Sequence, residues 1–537
     1  MSRCRRPWRR SRKNRRYPMQ RFQVPDVIIT DVIASHGKWR ASKPAVICED
    51  DSITWGDFNR RVNQAANRLR ALGLAKGDKA SLLCGNCIEM LISLFGIIKA
   101  GGVAVPLSVM VQGESLARMV VDSDSKFLLA QAPMAPVMNA FRDQFTAIAP
   151  EGYVVIGGQA PGWTPFYDFL LPAADTEPGV RLVYEDPINI MYTSGTTGVP
   201  KGILHNHHNR THFALSFGMD FRCDSSAVSI VTTALYANGT WLTMLPTIFG
   251  GGTLVVMTKF EPQEFLALAA RHRCTHTFMV PTQFTVLLEQ ENFGQYDLSS
   301  MRVWLSAGSP FRPQTKREVL ERFPGELMEL WGLTEGVATT LKPEHMRAKT
   351  ESVGLPLVGW DVAIIDEQGQ RLPPNQSGEI VAFSVFLMPE YYKLPDKTQE
   401  AIWLDEQGRT FLRTGDMGKL DEDGFLYVLD RKKDMIISGG INIFASDIEE
   451  VAAKHPAVAD VAVIGLPHPK WGETPVALVI PKPEAAAGAG EIKDWLNPRL
   501  AKYQRVSQVI IRQDFPRNVL GKVLKRELRD EYQNLAG

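Results

Sequence analysis

Two hydrophobic patterns alternate along most of the chain. Apolar residues recur three and four positions apart between Thr54 and Gly73, which predicts an amphipathic helix that begins near Trp55 and is closed by Gly73. The apolar face of this helix is formed by Phe58, Val62, Ala65, Ala66, Leu69 and Leu72. Short apolar runs, such as residues 79–83 and 102–106, predict buried strands. Strands and helices in alternation are typical of a layered α/β fold with mostly parallel sheets.

The pattern changes twice toward the C-terminus. Residues 353–379 hold short strand-like pieces separated by glycine and proline, which predicts a β-rich subdomain. After the charged cluster at 430–434, the pattern is that of a compact α+β unit. Residues 461–464 and 476–480 predict strands, 485–490 a flexible loop, and 492–500 a helix interrupted by Pro498. We therefore predict a large N-terminal domain at 19–431 and a small C-terminal domain at 432–537.

Length and composition agree with a globular protein of more than one domain. The chain has 537 residues, of which 45% are hydrophobic and 22% are charged, so a disordered or fibrous chain is excluded. The six cysteines form no disulfide framework, and we expect a cytoplasmic protein. The longest apolar run, residues 90–98, is too short to span a membrane.

The net charge of +1 is a sum over two unlike parts. Nine basic residues lie between Arg3 and Arg16, and without them 51 basic side chains face 59 acidic ones, a net of −8. A basic arm for RNA or anionic lipid is physically conceivable. We predict instead that residues 1–18 are a disordered tail or an upstream extension of a start at Met19, and we expect no nucleic-acid partner.

The first chemical signal is a glycine- and hydroxyl-rich loop after a predicted strand. The strand-like run at 188–192 leads into Thr193–Gly202, with the sequence TSGTTGVPKG. Glycines allow backbone N–H groups to approach an anion, the hydroxyls add donors, and Lys201 adds a cation. The spacing is not that of a Walker A motif. The loop nevertheless indicates phosphate binding.

This loop and four later motifs, in order along the chain, resemble motifs of the adenylate-forming superfamily. They are YTSGTTGVPKG at 192–202, WGLTE at 331–335, RTGD at 413–416, DRKKDMIISGGIN at 430–442 and RNVLGK at 517–522. The resemblance is to the branch of acyl- and aryl-CoA synthetases and covers nearly all of the chain after residue 25. It implies a large adenylation domain, a small rotating domain, and the use of ATP, Mg²⁺ and CoA. In this family a carboxylate attacks the α-phosphate of ATP, and a thiol then displaces AMP.

The resemblance also assigns roles to residues. The loop 193–201 would grip the β- and γ-phosphates, Thr334 would bind the α-phosphate, and Glu335 would hold Mg²⁺. Lys522 would neutralise charge during adenylation, so the implied catalytic residues are Lys522, Thr334, Glu335 and Lys201. The implied ATP or AMP site consists of Thr193, Ser194, Gly195, Thr196, Thr197, Gly198, Lys201, Gly308, Ser309, Trp331, Gly332, Thr334, Asp416, Arg431 and Lys522.

The small domain carries the implied thiol step. Lys433 occupies the position of the family hinge, around which this domain is expected to rotate. After that rotation, Gly439 and Gly440 would line the path of the CoA thiol, with Trp471 nearby.

The acid pocket is predicted from one short segment and the WGLTE motif. Its residues are Tyr236, Ala237, Asn238, Gly239 and Leu333. Amino-acid-activating relatives place an aspartate where this chain has Ala237, so an α-amino acid is not expected. With Trp241 nearby, the pocket is expected to be largely apolar and to accept an aromatic or aliphatic acid. The neighbouring His205, His207 and His208 supply no coherent set of metal ligands.

Several alternatives stay open at this stage. The acyl acceptor is either free CoA or the phosphopantetheine of a carrier protein, and the glycine pair serves either thiol. A luciferase-like oxidase and a non-catalytic nucleotide-binding relative are weaker hypotheses, since Lys201, Glu335, Asp416 and Lys522 are all present. A nucleotide-dependent dehydrogenase is excluded because no G-x-G-x-x-G follows a strand. A homodimer is left open.

Overall fold

A computed structural model describes residues 25–111, 113–193, 201–483, 485, 487–517 and 521–533. In these ranges the α-helices are α1 (Ile29–Trp39), α2 (Trp55–Ala71), α3 (Ile88–Lys99), α4 (Gly113–Asp122), α5 (Ala135–Asn139), α6 (Phe166–Leu170), α7 (His207–Asp220), α8 (Trp241–Gly250), α9 (Pro262–Arg271), α10 (Pro281–Leu288), α11 (Pro313–Arg322), α12 (Pro343–Met346), α13 (Pro395–Glu400), α14 (Ala445–Ala452), α15 (Ala489–Leu496) and α16 (Lys525–Tyr532).

The strands of the same ranges follow in chain order. They are β1 (Pro44–Cys48), β2 (Asp51–Thr54), β3 (Lys79–Leu83), β4 (Val103–Pro106), β5 (Ser125–Gln131), β6 (Tyr153–Ile156), β7 (Thr164–Pro165), β8 (Pro187–Thr193), β9 (Lys201–Asn206), β10 (Val228–Val231), β11 (Thr253–Val256), β12 (His276–Met279), β13 (Val303–Ala307), β14 (Glu326–Leu333), β15 (Val337–Leu341), β16 (Leu355–Pro356), β17 (Asp361–Ile365), β18 (Gly378–Phe383), β19 (Glu390–Tyr391), β20 (Ile402–Leu404), β21 (Thr410–Leu420), β22 (Leu426–Arg431), β23 (Ile436–Ser438), β24 (Ile441–Ile443), β25 (Val458–His468), β26 (Gly472–Pro481) and β27 (Gln508–Ile511).

Two large sheets form the body of the protein. One has the order β16-β15-β14-β13-β12-β10-β11-β1-β2, and the other β19-β9-β8-β4-β3-β5-β6-β7. Their central pairs are parallel, as between β12 and β13 or β3 and β4. Both sheets bury side chains in one apolar cluster, which contains Leu82 of β3 together with Leu305 of β13. The predicted layered α/β architecture is confirmed.

Two smaller sheets complete the fold. Strands β17, β18, β21, β20 and β22 pair in antiparallel fashion and form the β-rich subdomain predicted from residues 353–379. Near the C-terminus, β24-β23-β26-β25 and β27 form a separate sheet that packs with α14, α15 and α16. This is the predicted α+β unit. The exact boundary at residue 431 remains a prediction, although β22 ends at Arg431.

The predicted helix near residue 55 shows how local signals set the elements. Helix α2 begins after Thr54, whose side chain accepts a hydrogen bond from the backbone N–H of Asp57. The face carrying Phe58, Val62 and Leu69 is buried. Helix α3 packs against α2 at Gly96, where an added Cβ would lie 2.5 Å from the Cβ of Ala65. The close contact between these helices therefore requires glycine at this position.

The C-terminal predictions were partly wrong in their boundaries. The predicted helix at 492–500 is α15 (Ala489–Leu496) followed by a 3₁₀ turn at Asn497–Arg499. Pro498 cannot donate a backbone hydrogen bond, so the α-helix does not continue through it. The predicted loop at 485–490 is correspondingly shorter, because α15 already begins at Ala489. Across the described ranges, no helix combines the length and the apolar character needed to cross a bilayer.

Candidate active site

A buried carboxylate lies at the centre of the residues that the motifs predicted. Asp416 lies on β21 opposite Arg431 of β22, and it is only 4% exposed. Trp331, at the end of β14, donates its indole N–H to Oδ2 of Asp416 over 3.0 Å. The Nε atom of Arg431 lies 3.0 Å from Oδ1 of Asp416. Three separate motifs therefore meet at one carboxylate.

Several polar atoms in this region lack hydrogen-bond partners among the described residues. Although Arg431 Nε is close to Asp416 Oδ1, neither atom makes an aligned hydrogen bond, so the contact is ionic only. Ser309 Oγ and Asn238 Oδ1 are also buried without a partner. A buried polar atom without a hydrogen bond costs about 1–3 kcal/mol. Four of the predicted site residues thus carry an unsatisfied polar atom, as residues that bind a polar ligand would.

Lys522 lies beside this carboxylate although it is 106 positions away along the chain. Burial, and after it the neighbouring Arg431, lower the pKa of Lys522 to about 8, although Asp416 and Asp434 act in the opposite direction. Gly521, the preceding residue, has φ +74° and approaches Thr282 of α10. Two parts of the chain that the sequence assigned to different domains thus form one site.

A shared carboxylate fastens the loop of Lys522 to the large domain. Asp460 of β25 lies 3.0 Å from Nη2 of Arg312, which precedes α11, and also forms an ion pair with Arg517. Arg517 in turn donates to the backbone oxygen of Gly521 over 2.7 Å. Asp460 therefore connects the large domain, the small domain and the loop that carries Lys522.

Glu335 and Lys201 are linked by a residue that the motifs did not indicate. Tyr391 of β19 donates its hydroxyl to Oε1 of Glu335 over 2.8 Å, and Lys201 Nζ lies 5.1 Å from the centre of the same ring. Burial and the neighbouring Glu335 raise the pKa of Tyr391, so its hydroxyl stays protonated and donates. The cross-strand pairing of Tyr391 with Ile203 brings it next to Lys201. Nothing in the sequence around 391 signalled this contact.

The backbone of Thr334 accepts a hydrogen bond from a buried histidine. His205 Nε2 donates to the backbone oxygen of Thr334 over 2.8 Å. Burial lowers the pKa of His205 well below its usual range, and Arg210 adds to this effect, so the ring is neutral. His205 acts in this structure as a hydrogen-bond donor to the WGLTE segment. In the described ranges, no cluster of three or more His, Cys, Asp or Glu side chains is arranged to hold a metal ion.

Only the two ends of the predicted phosphate loop belong to the described residues. The predicted residues Ser194, Gly195, Thr196, Thr197 and Gly198 lie outside them. Thr193 and Lys201 are described and are direct partners across the antiparallel pair of β8 and β9. The residues before and after the loop are therefore direct neighbours on adjacent strands of one sheet.

The predicted acid-pocket residues form a buried segment. Tyr236 and Ala237 are 8% and 7% exposed, and Asn238 and Gly239 belong to a short 3₁₀ helix that leads into α8. Trp241 donates its indole N–H to the backbone oxygen of Leu235 over 2.9 Å, which closes this segment on itself. On the other side, Gly332 precedes Leu333 and touches β15 so closely that a Cβ would lie 2.6 Å from the oxygen of Val337. Gly308, with φ +91°, follows β13.

The predicted CoA residues form a separate cluster in the small domain. The backbone N–H of Gly439 donates to the oxygen of Trp471 over 2.7 Å, and Gly439 and Gly440 both have positive φ. Trp471 is 48% exposed. In the part of the chain that the structure describes, Gly439, Gly440 and Trp471 make no hydrogen bond, ion pair or ring contact with Asp416, Trp331 or Arg431. Arg529 donates to the backbone oxygen of the predicted hinge, Lys433, over 2.8 Å.

Two family profiles and a relative of known name match most of the chain. The sequence profile of a family described as "AMP-binding enzyme" matches residues 34–392, and the profile of the "AMP-binding enzyme C-terminal domain" matches residues 447–522. The chain is 33% identical over 487 residues to the long-chain-fatty-acid–CoA ligase FadD13 of Mycobacterium tuberculosis, with 90% of this chain and 94% of that protein covered.

A second relative and a solved structure extend the comparison. The fatty acid–[acyl-carrier-protein] ligase ScoC of Streptomyces coeruleorubidus is 31% identical over 529 residues, covering 96% of this chain and 98% of that protein. The crystal structure of ATP-bound MatB from Rhodopseudomonas palustris matches with a TM-score of 0.86 at 27% identity, covering 95% of this chain and 100% of MatB.

Proposed function

The chain belongs to the AMP-binding enzyme family, and on that premise we propose that it is an AMP-forming acid–thiol ligase. A carboxylic acid attacks the α-phosphate of ATP, which yields acyl-AMP and pyrophosphate. The thiol of CoA then attacks the acyl carbon, and AMP leaves. The observation that carries this proposal is the meeting of Trp331, Asp416, Arg431 and Lys522 at one buried site.

In the first step, we assign the nucleoside to the buried carboxylate. Asp416 has one oxygen bonded to Trp331 and one without an aligned partner, which suits the ribose hydroxyls as donors. The indole of Trp331 offers a flat face to adenine. Arg431 is close enough to Asp416 to support the sugar and the phosphates.

The charge that develops at the α-phosphate needs cations and donors. Lys522 interacts electrostatically with both Asp416 and Arg431, and we assign it to the attacking carboxylate and the α-phosphate. Thr334 is assigned to the same phosphate. Its backbone is fixed by His205, which limits the movement of its hydroxyl group. Lys201 and the loop 193–201 are assigned to the β- and γ-phosphates.

Glu335 is the residue that would hold Mg²⁺. Its carboxylate is oriented by Tyr391, and oxygen donors of carboxylates and phosphates are what Mg²⁺ prefers. The ion would neutralise phosphate charge when it is bound. The residues present fit this group.

For the second step, we propose that the small domain rotates about Lys433. In and beside the hairpin that carries Gly439 and Gly440, Trp471, Ile437 and Ile441 are 48%, 50% and 47% exposed, which is unusual for apolar side chains. Rotation toward the large domain would cover them and bring Gly439 and Gly440 to the acyl-AMP. Arg529 holds the backbone at Lys433 to α16, so the hinge moves with the small domain.

The acceptor is proposed to be free CoA, and a holo-carrier protein is the second candidate. The relative ScoC, which is named a ligase for an acyl-carrier protein, favours keeping this alternative. AMP release from preformed acyl-AMP separates the two acceptors. If free CoA stimulates AMP release, the acceptor is CoA, as proposed. If only the holo-carrier protein stimulates it, the acceptor is the carrier protein.

The test of the first step is ATP–pyrophosphate exchange across a panel of aliphatic and aromatic carboxylic acids. We expect exchange that depends on the acid and on Mg²⁺. No exchange with any acid would contradict the proposal. The finer expectations of a cytoplasmic location and a homodimer are tested by fractionation and by light scattering, respectively.

A further inference from the structure

A buried arginine lies between the two segments assigned to the acid pocket and has no role in the adenylation steps described above. Arg210, on α7, is 2% exposed. Its Nε donates to Oδ1 of Asn189 over 2.8 Å, and Nη2 donates to Nδ1 of His205 over 3.2 Å. The guanidinium carbon lies 4.5 Å from the ring centre of Trp241. Both hydrogen-bond acceptors are neutral.

The charge of Arg210 is not compensated by the protein. In the described ranges no Asp or Glu forms an ion pair with it, and burial alone lowers the pKa of Arg210, to about 9. Among the described residues, Arg210 uses Nε and Nη2 for hydrogen bonds, and both acceptors are uncharged. Burying a cation without an anion is costly, and proteins rarely retain one without a use. The residue therefore lacks an anion or a strong acceptor.

The location of Arg210 indicates where that acceptor comes from. On one side, Trp241 ends the segment that begins at Leu235 and contains the predicted acid-pocket residues. On the other side, the ring of His205 alone separates the guanidinium from the backbone oxygen of Thr334, which follows Leu333. Both walls assigned to the acid thus adjoin Arg210.

We propose that Arg210 determines the acid specificity: the preferred substrate carries a second oxygen group, best a carboxylate, close to the carboxylate that is activated. A guanidinium matches a carboxylate in shape and charge and also binds hydroxyl and carbonyl oxygens. The unpartnered Oδ1 of Asn238, in the same segment as Trp241, is an acceptor and would suit a hydroxyl group on the acid. This inference rests on the proposed acid–thiol ligase activity and narrows the range of acids expected as substrates. It also revises the expectation of a largely apolar pocket.

The experiment compares matched acids that differ only at the second group. Suitable pairs are benzene-1,2-dicarboxylate and 2-methylbenzoate, 2-hydroxybenzoate and 2-methylbenzoate, and succinate and butanoate. In at least one pair, the wild-type enzyme should activate the oxygen-bearing acid with a kcat/KM at least about tenfold higher, as expected for a hydrogen bond to a charged group. A preference for the methyl-bearing acid in every pair would overturn the proposal. Absence of activity with all acids would instead contradict the ligase function itself.

Variants then test whether Arg210 is the cause. Arg210→Met should lower kcat/KM for the oxygen-bearing acid at least tenfold more than for its methyl partner, and Arg210→Lys should retain part of the preference because it keeps the charge. An equal loss with both acids would mean that Arg210 acts only through His205 on Thr334, which overturns the proposal. Arg322→Met is the matched control, since Arg322 also packs on an aromatic ring and bonds a backbone oxygen, away from the site. Should Arg210→Met not fold, the wild-type comparison and Arg210→Lys remain decisive.

Discussion

Trp331 and Asp416 are joined by a 3.0 Å hydrogen bond from the indole N–H to a carboxylate oxygen, so the residues assigned to adenine and ribose hold each other in place. Trp331→Phe keeps an aromatic face and removes this donor. A hydrogen bond to a charged group contributes about 1.5–3 kcal/mol. We expect the KM for ATP to rise about tenfold, with little change in the KM for the acid.

The control for this variant is Trp403→Phe. Trp403 also donates its indole N–H, to the backbone oxygen of Gly369 over 3.0 Å, but it packs on Phe411 in the β-rich subdomain. Steady-state kinetics should therefore show an unchanged KM for ATP in this control. Equal effects in both variants would mean that loss of an indole hydrogen bond, and not the link to Asp416, explains the result.

Removing the cation at Lys522 should separate the two half-reactions. Lys522→Ala takes away the charge beside Asp416 and Arg431, and such losses typically lower a rate by about 10²- to 10³-fold. Adenylate formation, measured by pyrophosphate exchange, should fall by this amount. Thioester formation from supplied acyl-AMP and CoA should persist, and a comparable loss in both steps would argue against the assignment.

The pH dependence of adenylation should also report Lys522. Its pKa is lowered to about 8 by burial and by Arg431, so the ammonium form is present below that pH and is lost as pH rises through it. The value of kcat/KM for ATP, which reflects the free enzyme, should therefore decline above about pH 8. Lys522→Arg should move the decline to higher pH, because a guanidinium stays protonated. If kcat/KM for ATP declined at the same pH in the wild type and in Lys522→Arg, the titrating group would be a residue other than Lys522.

Tyr391→Phe tests the link between Glu335 and Lys201. The variant keeps the ring near Lys201 but removes the 2.8 Å hydrogen bond that orients Glu335. We expect kcat/KM for ATP to fall about tenfold and the Mg²⁺ concentration for half-maximal rate to rise. Tyr392→Phe is the control, because its hydroxyl bonds Asp124 at the surface. Unaltered Mg²⁺ dependence in Tyr391→Phe would show that the hydroxyl has no influence on Glu335.

Asp460→Asn tests whether the ion pairs to Arg312 and Arg517 hold the small domain in the adenylating arrangement. Partly exposed ion pairs contribute up to about 1 kcal/mol each, so we expect adenylation to slow about two- to tenfold. The thioester step from acyl-AMP should be unaffected or faster. Glu450→Gln, which breaks a pair with Lys454 inside the small domain, should change neither step.

Much of the site follows from motifs, because each motif carries its residues on consecutive positions. Asp416 and Arg431 were predicted separately, and strand pairing of β21 with β22 explains why they meet. Tyr391 could not be predicted in this way. It reaches Glu335 only through the pairing of a two-residue strand with β9, and no local pattern in the sequence encodes that register.

Arg210 escaped the sequence analysis for a different reason. A single arginine is ordinarily expected to be solvated, since arginine is rarely buried without a partner. Only the junction of the two large sheets, where α7 meets Trp241 and His205, makes it a buried charge. No local pattern in the sequence reports which side chains the second sheet places against α7.

The double contact of Asp460 has a consequence for the order of events in a catalytic cycle. One carboxylate holds both the large domain, through Arg312, and the arginine that braces the loop of Lys522. In the proposed rotation, the small domain would have to release Asp460 from Arg312, and Lys522 would depart in the same movement. We infer that each enzyme molecule would then carry out one half-reaction at a time, with the thioester step waiting until Lys522 has left the site.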